Sequence, residues 1–105
     1  MVVVSPNASE EANKIIQNGR GKRIHEVDLT KIPKDMITQL CAIDGALMMD
    51  PYGKCEGIGL ILPNEGENKG DPARGARYNS AKGYSSKHKE NLICVISEDG
   101  MIDFM

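Results

Sequence analysis

Several common signatures are missing from this sequence, and each absence closes off a class of protein. There is no C-x-x-C pair: the three cysteines, Cys41, Cys55 and Cys94, stand apart among apolar residues with no histidine pair near them. An odd number of isolated cysteines argues against a secreted disulfide scaffold and gives little support to a cysteine-based zinc site, so buried thiols in a reducing compartment are expected. The opening "MVVVSPN" has no basic n-region and is too short for a secretory h-region, so it reads as a strand. No membrane segment is predicted, and a cytoplasmic location follows as the expectation. Nor is there an excess of positive charge. With a net charge of -2 the chain offers no attractive field to a polyanion, and direct nucleic-acid binding is not predicted. Internal repeats, low-complexity tracts, a Walker-type G-x-x-x-x-G-K-[ST] and a dinucleotide G-x-G-x-x-G are all absent.

What is present is an ordinary globular composition. Hydrophobic residues make up 40% and charged residues 27% of 105 residues, enough for one modest core and one domain spanning 1–105. Val2 to Val4 predict a strand, and Ala8, Ala12, Ile15 and Ile16 recur at helical spacing over about residues 8 to 18. Asn7 followed by Glu10 has the form of a capping box, and Gly19 suits a left-handed helix end. "KRIHEVDL" alternates weakly, as a short or edge strand would. Pro33 opens a short helix with Met36, Ile37, Leu40 and Cys41 on one face, ending before Asp44-Gly45.

Residues 46 to 50 and 55 to 62 flank the turn Pro51-Tyr52-Gly53 and predict a hairpin. Positions 63 to 75, polar and rich in glycine and proline, predict a mobile loop before a helix beginning near Ala76. A second hairpin is expected from residues 92 to 97 and 101 to 105. Early strands separated by helices, then hairpins, imply an α/β fold with a mixed central sheet flanked by helices. A chain that opens inside a strand and stops just after one is expected to be a fragment of a longer protein.

Three constellations could carry chemistry. Asp44-Gly45-Ala46 is fully explained as a turn, yet an aspartate held at a strand start could also bind a metal or activate a hydroxyl. "GDPARGARYNSA" is explained as a solvated loop entering a helix, yet glycine amides at a helix start and forked arginine donors also suit a triphosphate. "SEDG" is a hairpin corner whose Ser97 could hydrogen-bond phosphate. His25 and His88 read as surface histidines, and Tyr78 and Tyr84 as half-buried packing residues that could alternatively stack on a base.

Order and spacing carry a resemblance. A "DGA" opening a strand, a hairpin strand ending Leu62-Pro63, a "GxRxxxA" helix start and a strand ending in "SE" resemble the diadenylate cyclase (DAC) domain first known from DNA-integrity-scanning proteins. The resemblance covers nearly the whole chain; the family's preceding helical segment is missing. It implies a DAC-like mixed sheet and a nucleotidyltransferase activity that joins two ATP molecules into cyclic di-AMP and pyrophosphate. It further implies a homo-oligomer with two facing domains and a divalent metal, Mn2+ or Mg2+.

Carried over by position, the resemblance implies that Asp44 is the metal-associated catalytic acid. Gly45 and Ala46 would lie against the nucleotide, and Leu62 near the adenine. The family's "GTRHR" falls on Gly75, Ala76, Arg77, Tyr78 and Asn79, so Arg77 is expected on the triphosphate, and Ser97 and Glu98 match the serine and acid that follow. Ala76, Tyr78 and Asn79 depart from the family by one hydroxyl, one imidazole and one charge. Arg74 is expected to restore the charge if the loop folds back, and Asn79 still offers amide donors. The reading is a divergent cyclase. Two alternatives stand beside it: a sensor that binds ATP or a cyclic dinucleotide without turnover, and a structural or interaction domain.

Overall fold

Three consecutive β-branched residues favour extended backbone, and they form β1 (Val2–Val4). The computed structural model of the protein describes residues 1–19, 21–63, 73–97 and 100–105, with the backbone alone at positions 25 and 26. After β1 come α1 (Ala8–Gln17), β2 (Lys22–Asp28), α2 (Lys34–Cys41), β3 (Ala46–Met49), β4 (Lys54–Leu60), α3 (Ala76–Lys87), β5 (Leu92–Ile96) and β6 (Ile102–Phe104). Among the described residues the strands form one six-stranded sheet in the order β2-β4-β3-β1-β5-β6. β1 runs parallel to β3, and the remaining neighbours are antiparallel. This is the mixed α/β sheet that the hydrophobic pattern predicts.

Strand alternation divides the core between the two faces. Val3, Ala46, Met48, Leu60, Ile93 and Val95 point to one face, where they meet Ala8, Ala12 and Ile15 of α1 and Ala81 and Tyr84 of α3. Val2, Leu47, Met49, Cys55 and Ile58 point to the other, where Leu40 and Cys41 of α2 pack against them. The coverage is uneven: α2 contains no buried residue, so it lies on the sheet as a partial cover. Because α1 and α3 share a face, the start of α3 reaches the end of the sheet where β3 begins and β4 ends.

The local expectations hold with a few corrections. Gly19 ends α1 with φ of 75°, its N–H donating to the Ile16 carbonyl at 2.8 Å. The capping box at Asn7 does not form. Asn7 is the N-cap, yet no side chain caps it, and its own N–H, the group that Glu10 would have bonded, donates to Ser5 Oγ at 3.0 Å. β2 is an edge strand as expected, though it runs the full Lys22–Asp28 with an irregularity between Arg23 and Val27. Arg23 anchors it, donating to Asn13 Oδ1 and Ser9 Oγ at 2.7 Å each. Both predicted hairpins pair antiparallel. Of the expected loop over 63 to 75, positions 64–72 lie outside the described residues, as do Glu98 and Asp99 of the second turn. No helix among the described residues is long and apolar enough to cross a membrane.

Tyr84 and His88 sit differently from the sequence reading. Tyr84 is 2% exposed and His88 is half-buried, its ring stacked on Tyr84 with centroids 4.0 Å apart. Both are drawn inward by Glu11, a buried carboxyl on α1. Glu11 Oε1 accepts from Tyr84 Oη at 2.6 Å and Asn91 Nδ2 at 2.7 Å, and lies 3.3 Å from His88 Nδ1. Oε2 accepts from Ser5 Oγ. A buried carboxyl is tolerable only with such a set of donors, and here they come from the end of β1, from α3 and from the start of β5.

Two measurements check this core. Tyr84→Phe removes one donor while keeping the ring, and should cost about 1–1.5 kcal/mol in urea unfolding. Cys55 is fully buried, and burial, with the neighbouring Glu56 carboxyl, pushes its thiol above the ordinary value. A raised native pKa means that the stability contributed by the neutral thiol is present below the unfolded-state pKa and is lost as pH rises through the native one. Iodoacetamide at pH 8.5 should therefore modify Cys55 at least about 100-fold more slowly in the native chain than in urea.

Candidate functional site

Asp44 stands between α2 and β3, where the chain must reverse sharply to enter the sheet. The reversal depends on two glycines. Gly45 has φ of 96°, and a Cβ placed on it would come within 2.7 Å of the Gly59 carbonyl carbon. Gly59 in turn has φ of 65°. Backbone thus packs on backbone, holding the start of β3 against the end of β4 at a distance that no side chain would permit. "GIG" at 57 to 59 carries no motif, yet its second glycine is the partner that Asp44-Gly45 requires. Asp44 itself is exposed, and its Oδ1 accepts from the Gly45 N–H at 3.1 Å.

Across from Asp44 lies the start of α3. Gly75 is its N-cap, no side chain caps this end among the described residues, and the first turn contains no acidic residue. The first N–H groups of a helix and its dipole favour an anion. Arg77 is half-buried and its Nη1 donates to the Ile96 carbonyl at 3.1 Å, which ties α3 to the end of β5.

Between these elements is a pocket of about 240 Å3 lined by Met1, Asp44, Gly45, Leu60, Ile61, Leu62, Ala76, Arg77 and Ser80. Of the residues singled out in the sequence, it brings together Asp44, Gly45, Leu62, Ala76 and Arg77 from three separate parts of the chain. Ala46 is fully buried beneath it. Gly75, Tyr78 and Asn79 do not line it; Asn79 Nδ2 donates to the Arg74 carbonyl at 3.3 Å and so closes the turn into α3. Ser97 lies on the β5–β6 turn, its Oγ accepting from the Met101 N–H at 3.1 Å, and Glu98 lies outside the described residues.

Arg74 is the largest departure from expectation. Its guanidinium pairs with Asp103 on β6 and sits 4.0 Å over the Tyr78 ring, so it faces β6 and does not line the pocket. The sequence conceals this partner because Asp103 lies in a strand that reads only as a hairpin arm.

Ser80 is the polar lining residue that sequence reasoning passed over. It follows Arg77 by one helical turn, so the i, i+3 spacing could have placed both on one face. Ser85 and Ser86 on the same helix bond back to carbonyls at 3.1 and 2.7 Å. Among the described residues Ser80 Oγ makes no such bond, and it lines the pocket.

A lone carboxylate beside an anion-favouring helix start fits a hard divalent cation that takes its remaining ligands from phosphate oxygens, the usual mode for magnesium. Among the described residues, three potential ligands also converge elsewhere, at Glu11, His88 and Glu90; none of these lines the pocket.

The fold is an α/β sheet with an acidic strand start opposite a basic helix start. The chain belongs to the DAC family: the family model described as DisA bacterial checkpoint controller nucleotide-binding matches residues 2–105. No curated protein and no solved structure matches the chain.

The glycine contact makes a specific prediction. Gly45→Ala must both adopt a strained φ and displace Gly59, and should lower stability by about 2–4 kcal/mol. Gly19→Ala has the same sign of φ but open space around it, and should cost only about 1 kcal/mol. Equal losses in urea melts of the two variants would remove the close approach as an explanation.

Proposed function

We propose that this domain binds ATP in the pocket between Asp44 and Arg77 and acts as one half of a diadenylate cyclase, two copies facing each other to form cyclic di-AMP and pyrophosphate. The observation that supports it most directly is the convergence of Asp44, Gly45, Leu62, Ala76 and Arg77 on one pocket in a chain of the DAC family. The size of the pocket points the same way. At about 240 Å3 it is smaller than the roughly 300–1,000 Å3 of sites that enclose a drug-sized ligand, which agrees with a site shared between two copies.

In this reading the 3′-hydroxyl of one nucleotide attacks the α-phosphorus of the other, and pyrophosphate leaves. Asp44 would hold the Mn2+ or Mg2+ and orient the attacking hydroxyl, taking up its proton as the new phosphoester bond forms. The bound metal supplies charge neutralisation at the phosphates. Arg77, already oriented by the Ile96 carbonyl, donates to the triphosphate, and the first N–H groups of α3 add to the anion site. Ser80 supplies a hydroxyl in place of the one lost at Ala76. Leu60 and Leu62 give the base an apolar wall.

A second reading, a nucleotide-binding sensor without turnover, is favoured by Arg74. Its guanidinium is paired with Asp103, so among the described residues Arg77 is the one arginine that lines the pocket. Incubation with ATP and Mn2+, followed by chromatography, separates the two. The cyclase reading expects cyclic di-AMP, reduced at least about 100-fold in Asp44→Ala. Saturable ATP binding with no product would establish the sensor reading in its place. In both, Arg77→Ala should weaken ATP binding about tenfold or more, and Ser80→Ala about three- to tenfold.

A further inference from the structure

Resting on the reading of the pocket as a triphosphate site, we propose that Asp103 on β6 is a positioning residue for it: by holding Arg74, Asp103 limits the positive charge of the site and so sets its affinity for triphosphate. Two arginines flank the start of α3, and the β5–β6 hairpin holds both. Arg77 Nη1 donates to the Ile96 carbonyl at 3.1 Å, a neutral acceptor that leaves the charge of the guanidinium uncompensated. Arg74 instead pairs with the Asp103 carboxylate, which offsets its charge.

The surroundings favour the second contact. Asp103 stands opposite Val95 in the β5–β6 ladder, so it points to the face on which α3 packs, while Ile102 and Phe104 on either side of it are exposed on the other. The Arg74 guanidinium lies 4.0 Å over the Tyr78 ring, and Met101 Sδ accepts from its Nη2 at 3.5 Å. With the side chains of Arg74 and Asp103 30% and 27% exposed, the pair is better shielded than a fully solvated one. The backbone of Arg74 is held separately, its carbonyl accepting from Asn79 Nδ2 at 3.3 Å. Removing the carboxylate therefore frees the side chain and leaves the turn into α3 bonded.

Arg74 is close enough to the pocket for its charge to matter. It precedes the lining residue Ala76 by two positions, so their α-carbons are at most about 7 Å apart. That is within the roughly 8–10 Å over which charges act through physiological salt. Asp103 decides whether a second positive charge acts on the site. An uncompensated Arg74 would favour a triphosphate over a monophosphate, because the attraction grows with the charge of the ligand.

The test is calorimetric titration of a charge series with ATP and Mg2+, with AMP, and with inorganic tripolyphosphate as a probe that carries no base. Asp103→Asn should bind ATP and tripolyphosphate about three- to tenfold more tightly, and AMP less than about twofold. Arg74→Ala leaves the carboxylate unpaired and should weaken both by a similar factor. The double variant Arg74→Ala/Asp103→Asn restores the charge balance and should return to about the wild-type affinity, as should Asp103→Glu alone. A merely structural contact gives a different order, with Asp103→Asn, Arg74→Ala and the double variant all binding more weakly, and that order would overturn the proposal. A gain in Asp103→Asn that persists in the double variant, or that is equal for AMP and ATP, would do so too. Wild-type ATP binding together with the structural order removes the role of Asp103 and leaves the nucleotide reading standing. Tripolyphosphate binding in the charge order without ATP binding does the reverse, and binding of neither by the wild-type chain removes both.

Discussion

The buried carboxyl of Glu11 is the constraint on which the arrangement of this protein rests. Its two oxygens take hydrogen bonds from Ser5, Tyr84 and Asn91, and so connect α1 to the end of β1, the middle of α3 and the start of β5. Apolar packing alone would leave α3 free to slide, because its buried positions are few and two of the three are Ala81 and Gly83. The directional bonds to Glu11 set its position along the sheet. That position delivers Ala76, Arg77 and Ser80 to the pocket.

A second constraint acts at the other wall. Gly45 against Gly59 brings two strands together through bare backbone, and Asp44 is presented at the edge of that contact. One wall is thus fixed by hydrogen bonds to a buried acid and the other by the absence of side chains. The first of these does not depend on the pocket residues, whereas the second uses one of them, Gly45. Ala76, Tyr78 and Asn79 stand where the resemblance leads one to expect other residues; here Tyr78 stacks under Arg74 and Asn79 closes the turn.

Much of the fold was legible because periodicity reports which side faces the core. Val2 to Val4, the 3.6-residue recurrence from Ala8 to Ile16 and the two hairpins all appear where alternation and turn chemistry put them. The order of Asp44, Arg77 and Ser97 pointed to the family because motif order survives without knowledge of contacts. Interactions across long sequence separations stayed hidden. Glu11 on an amphipathic helix looks like any solvated acid, His88 in "SSKHKE" looks like a surface residue, and nothing near Arg74 in sequence announces Asp103. The capping box failed for a related reason: Ser5 intercepted the N–H that the motif needs.

The position of β1 has a consequence for how the chain comes to be folded. Val2 to Val4 lie between β3 and β5, paired with residues 47–49 on one side and 92–94 on the other. During synthesis, β1 has neither neighbour until much later, and its second neighbour emerges near residue 94. A central strand with distant partners raises contact order and slows closure of the sheet. Until β5 emerges, three valines wait with one edge unpaired, and the nascent domain is most exposed to wrong partners in that interval.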